Sequence, residues 1–306
     1  MIIGGNSTRA FYERARMSMS GVRSETERLQ VQLATGNRIE RSSDDPIAAS
    51  RLRSLSRAER LSEVDELKTN RASADLSLAD VALQDISDLV SRVRELAIQA
   101  GSETISVEQR KVIGLEVGEI HTQLLTLANA RDMGGHALFG GEASTQAYGT
   151  DGAGNPVYLG NGTAGQLDLG EGQSVTRSIT GPEIFDFAVG GTPMNLLQVV
   201  KDLSLALGGG VADPAAAARD ALAPLGAGLD NVTTNQTVLG ARLVWLEFVT
   251  SRGDQLGELR AEEQREVGAA DIAETVTKLQ QMMTTLEASQ ASFTKVQSLS
   301  LFNHIR

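Results

Sequence analysis

The chain has 306 residues, no cysteine, 4% aromatic residues and a net charge of -11, from 28 Lys and Arg against 39 Asp and Glu. That length holds two domains or one multi-helix body, while the acidic balance argues against a general nucleic-acid binder and the lack of cysteine removes disulfides and thiolate chemistry. No apolar run approaches the ~20 residues of a membrane span, and MIIGGNSTRAFYERARMS lacks the pattern of a cleaved leader, so composition by itself points to the cytoplasm.

Residues 1–60 hold 11 Arg and 7 acidic residues, interleaved as on a solvated helix face. Ser7 or Thr8 is placed to cap a first helix to about Ala34, with Phe11, Ala15, Ser18, Val22, Leu29 and Leu33 on one side and Gly36-Asn37 as the stop. Asp44 or Asp45 then caps a second helix whose first position is Pro46. It is expected to run to about Ala100. Ala79, Ala82, Ile86, Leu89, Val93, Leu96 and Ala100 keep a three-four repeat, and Leu76, Leu83, Val90 and Ala97 add a second stripe, so the helix touches two neighbours. At 1.5 Å per residue it spans roughly 80 Å.

Ser106 opens a third helix to about Ala130, on Ile113, Val117, Ile120, Leu124 and Leu127. Fifteen of the 31 glycines fall between Gly134 and Gly191, where strands replace helices: VYLG, a hairpin turn at Asn161-Gly162, QLDLG and QSVTRSIT. A short helix fits Asn195 to Leu207. From Pro214 a return helix follows, antiparallel to residues 47–130, with a hinge at Val267 and Gly268.

The last segment, from Ala270, carries Ile272, Val276, Leu279, Met283, Leu286 and Phe293 in steps of four and three, with polar Gln290 in the seam, and ends on Leu299, Leu301 and Phe302. This strip and the one on the first helix are too narrow for a core. They are expected to pair with each other and to need further partners.

Little in the sequence points to catalysis. Gly160 to Gly165 spells GxGxxG, but QLDLG after it alternates like a strand, whereas a dinucleotide site needs a helix there. His121, His136 and His304 have no partner at metal-ligand spacing. Asp44 and Asp45 are explained as caps. Asn161, Asn231 and Asn235 match glycosylation acceptors by spelling only. No catalytic residue, cofactor or metal is expected.

Several stretches together resemble the flagellin family of bacteria, and within it the hook-associated branch. ATGNRIERSSDDPIAAS, Ala34 to Ser50, is similar to the block after the family's first helix. HALFGG, His136 to Gly141, NQTVLGARLVWLE, Asn235 to Glu247, AADIAETVTKL, Ala269 to Leu279, and LSLFNHI, Leu299 to Ile305, follow in the family's order, as does TGPEIF, Thr180 to Phe185. His304 departs from the aromatic residue usual there.

The resemblance implies a structural subunit of the flagellum, not an enzyme, exported unfolded through the flagellar type III apparatus and joining hook to filament. The expected fold is mainly α: an elongated antiparallel helical bundle or coiled coil from the N- and C-terminal segments, with a small Gly-rich, β-containing insert. Residues 1–45 and 266–306 are the expected polymerisation segment, 46–133 and 214–265 the helical rod, and 134–213 the outer insert. The assembly interface is expected at Phe11, Val22, Leu29, Leu33, Ile272, Val276, Leu279, Met283, Leu286, Phe293, Leu299, Leu301 and Phe302, with Asp44, Asp45 and Pro46 as helix cap. Implied partners are other copies of the chain, neighbouring hook-associated and flagellin subunits, and an export chaperone, with no nucleic acid and no membrane insertion. A filament-forming flagellin is the alternative, and an enzyme or ligand-binding insert at 134–213 a remoter one.

Overall fold

A computed structural model describes residues 4–142, 145–170 and 172–302, with side chains over 10–142, 145–170 and 172–296. α1 (Gly4–Thr35) begins ahead of Ser7 and Thr8, so both lie inside the helix. α2 (Pro46–Ala100) starts where Asp45 Oδ1 accepts from Ala48 N at 3.0 Å, while Asp44 Oδ2 accepts from Glu40 N and Arg41 N and closes the preceding turn. α3 (Val107–Ala128) opens on a reciprocal capping box, Gln109 N donating to Ser106 Oγ and Ser106 N to Gln109 Oε1.

The chain divides into two compact units. The first runs through Leu61 and resumes at Gln255; the second is Ser62–Asp254. In the second unit three antiparallel hairpins follow α3. They are β1 (Tyr148–Thr150) with β2 (Pro156–Tyr158), β3 (Gln166–Gly170) with β4 (Gln173–Thr176), and, after α4 (Gly181–Phe185), β5 (Asp186–Val189) with β6 (Thr192–Asn195). α5 (Leu196–Leu205) is capped by Asn195 and ends in a wider turn, Ala206–Gly210.

The Asn161-Gly162 hairpin does not form. β2 pairs backwards with β1 across Asp151–Asn155, where Asp151 Oδ1 accepts from Ala153 N and Asn155 N, and Lys201 Nζ donates to Ala153 O and Asn155 Oδ1 at 2.8 Å each. Asn161 instead ties a loop, its Oδ1 accepting from Glu142 N and its N donating to Gly140 O. The glycine pair that does turn a hairpin is Gly190-Gly191, at φ 57° and 83°, a region closed to most other residues.

These hairpins share one core with the helices: Leu83, Ile86 and Val90 of α2, Val117 and Leu124 of α3, and Leu197 and Val200 of α5 bury with Phe139, Tyr148, Ile184 and Phe185. α6 (Pro214–Gly268) adds Leu225, Val232, Leu239 and Leu246, and its Asn231 Nδ2 donates to Glu183 O and Ile184 O. Gly114 lets α3 approach the end of α5, since a Cβ there would lie 2.9 Å from Leu207 Cβ.

Within each unit α2 and α6 run antiparallel. Arg51 Nη2 donates to Glu263 Oε2 and Arg260 to Ala58 O in the first; Gln236 Nε2 donates to Gln84 and Arg219 to Gly101 O in the second. α7 (Ile272–Phe302) starts on Asp271, whose Oδ1 accepts from Glu274 N at 3.0 Å. The fold is mainly helical with a strand-containing insert, as the sequence indicates.

Candidate assembly interface

α1 and α7 belong to the same unit and pack on each other. A short clamp sets their relation. Gly36, at φ 71°, ends α1 and turns the chain so that Asn37 bridges Ala269 in antiparallel fashion; Ala270 N donates to Gly36 O at 2.9 Å and Arg38 N to Gly268 O at 2.8 Å. Arg38 Nη2 also donates to Val267 O and Asp45 Oδ2, and Gln32 Nε2 to Arg38 O, tying the clamp to the start of α2.

From the clamp the seam runs outward on side chains that, Leu29 apart, are half-buried. α1 contributes Tyr12, Ala15, Met19, Val22, Leu29 and Leu33; α7 contributes Val276, Leu279, Met282, Leu286 and Phe293. Among the described residues of the two helices, Leu29 is the one buried large apolar side chain, 2% exposed. Thr26, Gln32 and Thr275 are the buried polar ones, and Thr26 and Thr275 satisfy their hydroxyls on the carbonyls of Val22 and Asp271.

Phe11, Ile272 and Met283 lie on the exposed side. Tyr12, Met19 and Met282 line the seam one position away from Phe11, Ser18 and Met283, because a one-residue change of phase moves a helical side chain by about 100°. The side chains of Leu299, Leu301 and Phe302 fall outside the described residues.

The flanks of the seam differ in chemistry. Arg28 donates to both Glu25 oxygens, and that hydrogen bond, aided by Lys278 of α7, holds the Glu25 carboxyl below its usual range against partial burial. Away from α1, α7 presents Thr277, Gln280, Gln281, Thr284, Thr285, Ala288 and Ser292, a face without charge. Its Thr277, Thr284 and Thr285 hydroxyls already donate to the carbonyls of Ala273, Gln280 and Gln281, so burying it against another helix costs less than burying charge.

The second unit holds a cleft where Asp75, Asp132, His136, Arg71 and Arg177 converge. Burial, with the neighbouring Asp132 charge, pushes the Asp75 carboxyl up, opposed by Arg177 at 3.6 Å and by Arg71. Burial also acts against Asp132, but hydrogen bonds from His136 and Gly134 outweigh it and hold that carboxyl low. Each cation here faces a carboxylate of the chain itself, so the cluster fastens the 131–142 loop and the residue after β4 to α2. Gly160 to Gly165 leads into β3, not into a helix, so no helix N-terminus faces a phosphate there. Among the described residues no group of three metal-binding side chains occurs, and no helix is long and apolar enough to cross a membrane.

The N-terminal helical region of bacterial flagellin matches residues 7–144. Flagellar hook-associated protein 3 of Escherichia coli (strain K12) is 27% identical over 312 residues, covering 97% of this chain and 98% of that protein, and its counterpart in Salmonella typhimurium is similar to the same extent. The crystal structure of flagellar hook associated protein-3 from Legionella pneumophila superposes with a TM-score of 0.64 at 17% identity, over 71% of this chain and 98% of that one, which shows a shared fold. The chain is thus similar to the bacterial flagellin N-terminal helical region over residues 7–144 and to flagellar hook-associated protein 3 along nearly its whole length.

Proposed function

We propose that this chain is a structural subunit of the bacterial flagellum that joins hook to filament, and that α1 and α7 are its polymerisation segment. The observation that carries the reading is the incomplete seam: two helices of about 30 residues each meet along half-buried side chains, with Leu29 alone fully covered among the described large apolar ones. A helix pair of that length with so little buried surface gains its stability from neighbours. The match along nearly its whole length to hook-associated protein 3 favours the junction over the filament.

On this reading the chain is exported through the flagellar type III apparatus, sits outside the cell, and contacts its own copies and the adjoining flagellar subunits, with a chaperone covering the terminal segments before export. Residues 46–133 and 214–265 make up the helical rod segment, and 134–213 the Gly-rich insert. Catalysis has no part in it.

Deleting residues 270–306 and measuring incorporation at hooks tests the interface; undiminished incorporation overturns it. Immunogold labelling of purified flagella separates junction from filament, one band at the joint being expected and a continuous coat marking a filament subunit.

A further inference from the structure

α2 is segregated by charge in a way that its packing within the chain does not use. Over residues 47–61 one side of the helix carries Ile47, Ser50, Arg53, Ser54, Arg57, Arg60 and Leu61, all exposed, with Ile47 at 85% and Leu61 at 57%. That side bears three arginines and no carboxylate. Glu59 lies on the other side, where it accepts from Gln264 Nε2 at 2.9 Å. Arg53 donates to Ser42 Oγ, and among the described residues neither Arg57 nor Arg60 forms an ion pair.

Further along, residues 72–91 contain Asp75, Asp80, Asp85 and Asp88 and no Lys or Arg. The exposed side there shows Leu78 at 39%, Val81 at 59%, Asp85 and Asp88. Asp88 meets only the neutral Gln84 amide, at 3.3 Å, and Asp85 forms no ion pair among the described residues. Exposed apolar side chains beside unpaired charge of one sign mark a contact surface.

The two faces match in spacing as well as in sign. Arg57 and Arg60 stand three apart, as do Asp85 and Asp88. A second α2 laid parallel and displaced by about 28 residues, roughly 42 Å at 1.5 Å per residue, sets Arg57 against Asp85 and Arg60 against Asp88. The same displacement brings Val81 under the aliphatic stem of Arg53 and Leu78 against Ser50. An antiparallel approach that pairs the same charges sets Arg53 against Arg92, so the parallel arrangement is favoured.

We propose that copies of this chain associate through α2, the basic 47–61 face of one against the acidic 78–88 face of the next. Because each copy offers one face to either neighbour, the contact is heterologous and propagates as a ring or an open chain. It adds a surface beyond the terminal seam and does not depend on the flagellar role.

The test is sedimentation velocity of the full-length protein at low ionic strength over rising concentration, with Arg57→Glu/Arg60→Glu and Asp85→Arg/Asp88→Arg as charge-reversed variants. Wild type is expected to associate, and added salt to weaken it. Each variant alone is expected to associate about tenfold more weakly, because reversed charges now meet their like. An equimolar mixture of the two is expected to regain association, since each then meets its opposite, a recovery that damaged folding does not produce.

As an independent check of register, Arg57→Cys with Asp85→Cys in one otherwise native chain is expected to give a ladder of disulfide-linked oligomers on oxidation. Wild type that stays monomeric, variants that associate like wild type, or a mixture that stays apart overturns the proposal. Association of this kind by a protein that never labels flagella upholds the α2 contact and removes the flagellar reading.

Discussion

Tyr12 of α1 and Phe293 of α7 meet edge to face, their ring centroids 5.5 Å apart and their planes at 84°. Phe11 stands against the same tyrosine at 6.0 Å. The terminal helices are thus fastened at two places, by this aromatic contact and by the backbone clamp at Gly36 and Ala270, with a half-buried seam between.

Phe293→Ala removes a contact worth about 0.5–1.5 kcal/mol beyond its buried area. Since the second unit has its own core, the thermal midpoint of that unit in the isolated chain is expected to stay in place, whereas incorporation at hooks falls. Loss of the midpoint with normal incorporation would separate the seam from assembly.

Gly114→Ala is expected to destabilise the second unit by about 1–3 kcal/mol, because its Cβ would lie 2.9 Å from Leu207 Cβ and 3.1 Å from Gly208 N, so the packing there must shift. Gly240→Ala in α6 meets nothing within 4 Å and is expected to stabilise by about 0.5–1 kcal/mol through helix propensity. Urea titration followed by circular dichroism measures both.

Asp75 and Asp132 are expected to respond oppositely to pH. The Asp75 carboxyl is raised in the folded chain, so its charged form costs stability once pH climbs above the ordinary carboxylate range; Asp75→Asn is expected to melt higher than wild type at neutral pH and to lose that advantage below about pH 4. The Asp132 carboxyl is depressed, so its contribution is complete above that range and is lost as pH falls through the folded value. Asp132→Asn is expected to melt lower at neutral pH and to converge with wild type in strong acid. Thermal melts across this window decide both.

The helices were legible because their signals are local. The Ser106 capping box, the Asp45-Pro46 start and the stripe from Ala79 to Ala100 each lie within a few turns of chain. The hairpins were less so, because Asn161-Gly162 carries the spelling of a turn while the pairing of β2 is decided by Asp151 and by Lys201, 46 residues beyond Asn155. Gly190-Gly191 carried an equal signal between β5 and β6 and went unused. At the seam the difficulty was phase: Phe11 or Tyr12, and Met283 or Met282, satisfy the same repeat, and packing against the opposite helix chooses between them. At the Gly36–Ala270 clamp both chain breaks were legible, Gly36-Asn37 and Val267-Gly268, but not that they bridge each other.

Amide hydrogen exchange of the backbone of α1 and α7, compared between the free chain and the same chain incorporated at hooks, bears most directly on the claim that neighbours complete the terminal seam. Fast exchange in the free chain and strong protection after incorporation is the expected result. Protection in the free chain equal to that of the α2 and α3 core would contradict it.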